Sequence, residues 1–105
     1  MLNAQIQQVI KQITNHFRPE KIILFGSYAY GMPGRDSDVD LLVIMKHTGP
    51  AKKQAVKILQ AIDYHFPLDL IVRSPQQISK RIKAGDFFLK EIMEKGKVLY
   101  EKNCS

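Results

Sequence analysis

The sequence predicts an α/β domain, a sheet with amphipathic helices laid against it, and three observations carry that prediction. Short runs rich in β-branched and aliphatic residues, at 22–25, 39–44 and 68–72, have the length and composition of buried strands. Longer stretches repeat their apolar residues at helical spacing, as Ile6, Val9, Ile10, Ile13 and Phe17 do. Punctuation at Arg18-Pro19, Phe66-Pro67 and Ser74-Pro75 separates the two kinds of segment. The 105 residues suffice for one domain with a single core, and the whole of 1–105 is assigned to it.

In chain order, residues 3–17 form an amphipathic helix, stopped at Arg18 because the residue before a proline is pushed out of the helical region. A strand at 21–25 follows. Gly26 ends it, and Ser27 to Tyr30 can make one helical turn before Gly31 and the loop of Met32, Pro33 and Gly34. Val39, Leu41, Leu42, Val43 and Ile44 make the second strand. After a polar turn from Lys46 to Pro50, Ala51, Ala55, Ile58, Leu59 and Ile62 mark a second amphipathic helix. It is expected to run to the Phe66-Pro67 stop. The strand at 68–72 leads to Ser74-Pro75-Gln76-Gln77, which has a capping serine, a first-turn proline and a glutamine three residues on. Ile78 and Ile82 give that helix its apolar side, and Gly85 ends it. Asp86 caps a last helix, in which Phe88, Leu89, Ile92 and Met93 are expected to pack inward and Gly96 to sit just past the C-terminus. Val98-Leu99-Tyr100 reads as a short final strand.

Composition narrows the function classes. Hydrophobic residues at 45% and charged residues at 25% are ordinary for a globular protein, with no repeat or low-complexity segment. No apolar run approaches a membrane span and the N-terminus lacks a signal-peptide layout, so neither membrane nor secretion is expected. The single cysteine, Cys104, can form no internal disulfide, which fits a cytoplasmic setting. A net charge of +6 suits an anionic partner. The basic faces, Lys52, Lys53 and Lys57 on one helix and Lys80, Arg81 and Lys83 on another, have no aromatic platforms beside them. They read as solvated surface rather than as a nucleic-acid site. His16, His47 and His65 show no ligand spacing.

The chemistry concentrates between residues 22 and 44. Gly26 lets the backbone approach a ligand closely, and N–H groups at a helix start favour a phosphate. Asp38 and Asp40 are two apart, so both side chains leave one face, with Cα atoms about 6.5 Å apart. Two carboxylates at that spacing can hold one or two Mg²⁺ ions beside a polyphosphate. Taken singly, a Gly-Ser pair is usually a turn and an Asp-x-Asp usually a solvated strand start. Joined in one strand–loop–strand unit they indicate a phosphate-and-metal site. Asp69, inside the apolar strand 68–72, calls for either a metal or proton-acceptor role or a surface-facing edge position. Arg35, in the loop, can reach a triphosphate or lie solvated, and its role stays open.

Gly26-Ser27 followed after ten residues by Asp38-Val39-Asp40-Leu41 resembles the signature of the polymerase-beta-like nucleotidyltransferase superfamily. The small size and the run FGSYAYG…SDVDLLV resemble its minimal nucleotidyltransferase (MNT) domains, those of MntA-type antitoxins. The likeness spans nearly the whole chain, up to a GKVLYE ending of the kind that closes many such domains. Tyr30 departs from it, standing where many members carry arginine. The resemblance implies a mixed sheet with flanking helices in a single minimal domain. It implies that Gly26 and Ser27 hold the phosphates, and that Asp38, Asp40 and Asp69 bind Mg²⁺, two ions, and serve catalysis. The implied reaction moves AMP from ATP to a hydroxyl and releases pyrophosphate. The implied partner, in a hetero-oligomer, is a helical HEPN toxin modified on a tyrosine. Two other classes stand beside it: an antitoxin or nucleotide-binding module that acts by contact alone, and a nucleic-acid binder using the basic faces.

Overall fold

The computed structural model of the chain describes residues 2–31 and 38–102. Its first helix, α1 (Leu2–Phe17), buries Ile6, Val9, Ile10 and Ile13, the stripe set by the helical spacing. The helix ends where the Arg18 N–H donates to the Thr14 carbonyl at 3.1 Å, with Arg18 in the left-handed region at φ 48°. β1 (Lys21–Phe25) then pairs antiparallel with β2 (Val39–Ile44). A helical crossover through α2 (Ala51–Ala61) returns the chain to β3 (Leu68–Arg73), parallel to β2. α3 (Pro75–Lys83) and α4 (Phe87–Lys95) follow, and β4 (Lys97–Glu101) closes the sheet antiparallel to β1. The order is β3-β2-β1-β4, a mixed sheet, as the resemblance implied.

Strand alternation sorts the core into two layers. Ile22 and Leu24 of β1, Val39, Leu41 and Val43 of β2, and Leu70 and Val72 of β3 face α1 and the Ile58 side of α2. The alternate residues Ile23, Phe25, Leu42 and Ile44 face Ile78 of α3 and Leu89 and Ile92 of α4. Each buried aliphatic side chain contributes about 1.5–3 kcal/mol, so both sheet faces are needed to hold a domain this small. The helix caps read from the sequence are in place. Ser74 accepts from the Gln77 N–H while the Gln77 side chain accepts from the Ser74 N–H, and Asp86 accepts from the Leu89 N–H.

Three expectations change. The second helix stops at Ala61 rather than at Phe66, with Ile62 already extended. Gln12 of α1 claims the chain there: its side-chain amide donates to the Asp63 carbonyl at 2.9 Å and accepts the Asp63 N–H at 2.7 Å. That two-way bond replaces the next helical turn. Gly96 is extended (φ −68°, ψ 161°) and not left-handed. It is small for want of room, since a Cβ there would run into Ile23 Cγ2 and stand 2.6 Å from the Ile92 carbonyl oxygen. Phe88 faces outward at 53% exposure, whereas Leu89 and Ile92 carry the inward packing. Among the described residues no helix is long and apolar enough to cross a membrane.

Candidate active site

The α3/α4 face of the sheet is apolar at one end and acidic at the other. Leu42 and Ile44 on β2 lie under the two helices, and Asp40 continues their row beyond the covered part. On β3, Ile71 pairs with Leu42 and Asp69 pairs with Asp40. Register partners on neighbouring strands leave the same face, with strands about 4.8 Å apart, so Asp40 and Asp69 are side by side. Asp40 is half-buried and Asp69 exposed on the edge strand β3. Asp38, just ahead of β2, is also exposed.

The Gly-Ser segment meets this row directly. Phe25 is the antiparallel partner of Asp40, and Gly26 follows it at φ 77°. A Cβ on Gly26 would collide with Asp40 Oδ2. Glycine is therefore required twice over, by the left-handed backbone and by the carboxylate lying against it. Beyond Gly26 the chain makes turns from Ser27 to Gly31 rather than a regular helix. The Ala29 and Tyr30 N–H groups both donate to the Gly26 carbonyl, at 3.0 and 3.2 Å. Gly31, also left-handed at φ 76°, bends the chain away before a helix can propagate. Ala29 is buried in the layer under α1, and Tyr28 packs against that layer, which anchors the turn. Among the described residues the Ser27 and Tyr28 N–H groups donate to no backbone carbonyl, and N–H groups at such a turn suit an anion. Arg35 lies outside the described residues.

The carboxylates sense one another. Burial, then the charge of Asp69, then that of Asp38 push the Asp40 carboxyl above its ordinary value of 3.8. Like charges with nothing between them repel, and among the described residues the side chains do not close into a group of three metal ligands. The donor set still fits a hard divalent cation: oxygen donors only, on adjacent strands, with an unfavourable mutual field that a cation would reverse.

That field gives a stability prediction. Because Asp40 has a raised pKa in the folded state, the folded protein holds its proton longer than the unfolded chain does. Metal-free stability should then fall as pH rises from near 3.8 through the raised value, and the penalty is complete above it. Asp40→Asn removes the penalty. Without metal, the variant should melt above wild type at pH 7, and the two melting curves should converge as pH drops below about 4. A variant equal to or below wild type at pH 7 would mean that the three carboxylates do not oppose folding.

The sequence pattern missed one residue at this end of the sheet. Phe88 of α4 meets the Phe25 ring edge to face, with centroids 5.7 Å apart and planes at 86°. A helical stripe does not show that the first turn of α4 overhangs the acidic end of the face.

The chain matches the family described as polymerase beta, nucleotidyltransferase over residues 7–105. It is similar to two proteins of Methanocaldococcus jannaschii, both provisionally named protein adenylyltransferases. It is 37% identical to one over 78 residues, covering 73% of this chain and 75% of the relative. It is 32% identical to the other over 105 residues, covering 90% of this chain and 97% of the relative. Its fold is similar to that in the crystal structure of a toxin–antitoxin with AMP-PNP, at a TM-score of 0.58 and 24% identity, covering 92% of this chain and 73% of that one.

Proposed function

The chain belongs to the polymerase beta nucleotidyltransferase family, and from that premise we propose that it transfers AMP from ATP to a hydroxyl group of a partner protein. The observation that carries the reading is the contact of Gly26 with the Asp40 carboxylate, beside Asp69 in register. It joins a glycine-bounded turn to an acidic row. Nucleotidyl transfer asks a protein for in-line positioning and charge management more than for covalent chemistry, and this arrangement offers both.

In the proposed reaction Ser27, with the N–H groups that follow Gly26, holds the terminal phosphates. Asp38, Asp40 and Asp69 are the residues that would hold Mg²⁺, which when bound neutralises the phosphate charge that three aspartates would otherwise repel. Asp69 accepts the proton of the incoming hydroxyl. The hydroxyl oxygen forms a bond to the α-phosphorus, the bond to the β-phosphate oxygen breaks, and pyrophosphate leaves.

The acceptor we propose is a tyrosine of a helical HEPN-family toxin, with this chain as its antitoxin in a hetero-oligomer. Two findings support it: the relatives provisionally named protein adenylyltransferases, and the fold shared with a toxin–antitoxin crystallised with AMP-PNP. Mass spectrometry of the protein from the neighbouring reading frame, co-expressed with this chain, tests the proposal. One or more added AMP masses are expected, and they should map to a tyrosine. A partner that is bound but never modified would overturn the transfer reaction.

A further inference from the structure

We propose that Phe88 is the stacking platform for the nucleobase of the bound nucleotide, an inference that rests on the nucleotidyltransferase reading above. Three placements link the turn to the ring through successive neighbours. The turn after Gly26 is anchored toward the α1/α2 side, where Ala29 is buried and Tyr28 packs. Asp40 lies on the α3/α4 face, against Gly26 and opposite Phe25. Phe88 lies on the α3/α4 side, touching Phe25. A nucleotide with its terminal phosphates in the Gly26–Ser27 turn and its α-phosphate at Asp40 sends its base toward Phe88.

The ring is also prepared for the task. Phe25 is 7% exposed and fixed in the core, and its edge-to-face contact holds Phe88 in place. The start of α4 is pinned by the Asp86 cap on the Leu89 N–H and by burial of Leu89 and Ile92. Phe88 nonetheless keeps 53% of its surface exposed. A rigid, half-exposed aromatic ring beside a phosphate site suits a flat heteroaromatic ring, because every base offers a π-face. Phe87, its neighbour, is 79% exposed and lines the outer side of α4 with Lys90, Glu91 and Glu94. It lies outside this chain of neighbours and serves as an internal control.

The experiment is calorimetric titration of wild type, Phe88→Leu, Phe88→Trp and Phe87→Leu with ATP and with inorganic triphosphate, each with Mg²⁺. Leucine keeps apolar contact with Phe25, so the variant should melt close to wild type, but it has no plane to stack on. Phe88→Leu should weaken ATP about tenfold, within the range base stacking supplies, and leave triphosphate unchanged. Phe88→Trp should bind ATP at least as tightly as wild type, and Phe87→Leu should match wild type with both ligands. Equal ATP affinity in Phe88→Leu and wild type overturns the proposal. So does a parallel loss of ATP and triphosphate, which would place Phe88 in the architecture of the phosphate site. So would unchanged ATP binding with lost partner capture, which would make the phenylalanine a protein-docking residue. Wild type binding neither ligand would defeat the nucleotidyltransferase reading and this inference with it.

Discussion

Replacing Asp38 and Asp40 together by asparagine is expected to weaken Mg²⁺-dependent ATP binding by about two orders of magnitude or more. Removing a group that merely supports a metal ligand already costs about 10–100-fold in metal affinity. Here two of three anionic donors would go, and the cation that offsets the repulsion between carboxylates and triphosphate would go with them. The site should lose its ligand without losing its shape. Asparagine is close in size to aspartate, and the apolar row of Leu42 and Ile44 under α3 and α4 is untouched. Calorimetry with ATP, with and without Mg²⁺, checks this. The magnesium dependence of wild type should vanish in the double variant. Unchanged affinity would put the nucleotide elsewhere on the molecule.

Much of the candidate site's geometry was legible because strand geometry is periodic. Asp38-x-Asp40 on a strand start and Asp69 in a five-residue apolar run can face only one of two sides. The core patterns of β2 and β3 show which: Leu41, Val43, Leu70 and Val72 take the α1/α2 layer and leave the aspartates to the other. The mixed sheet came from resemblance, and the pairing bears it out. What was illegible depended on contacts between distant segments. The early end of α2 is set by Gln12, about fifty residues upstream of the Asp63 it binds. The smallness of Gly96 answers to Ile23 and Leu24, and its helix-end position suggested a backbone reason instead. Phe88 has the spacing of a core residue, yet it is half-exposed with its ring set edge to face against Phe25. The turn after Gly26 shows the same limit. Ser-Tyr-Ala-Tyr is long enough for a helical turn, but two left-handed glycines bracket it and the Gly26 carbonyl takes the Ala29 and Tyr30 N–H groups.

Asp69→Asn should separate binding from transfer. ATP and Mg²⁺ binding should weaken far less than in the Asp38/Asp40 double variant, because the two proposed anchors of the metal–triphosphate, Asp38 and Asp40, remain. AMP transfer should fall by about 10²–10⁴-fold, the range a positioned proton acceptor contributes. The asymmetry follows from place. Asp40, the proposed anchor of the triphosphate, is half-buried against Gly26, whereas Asp69 is exposed on the edge strand, open to a hydroxyl arriving from outside. The substitution also removes one of the two charges that raise the Asp40 carboxyl. The pH at which Asp40 ionises should therefore move down, and Mg²⁺-dependent ATP binding should persist to lower pH in the variant than in wild type. That shift reports the charge of Asp69 beside Asp40, whereas the loss of transfer with ATP still bound is the result that a purely structural role for Asp69 would not produce. The readouts are the ATP affinity across pH and the mass of the co-expressed partner, which should gain AMP with wild type and none with Asp69→Asn. If wild type adds no mass yet still suppresses its partner's toxicity, and Asp69→Asn suppresses it equally well, the chain acts by contact and its acidic row is a relic of chemistry it no longer performs.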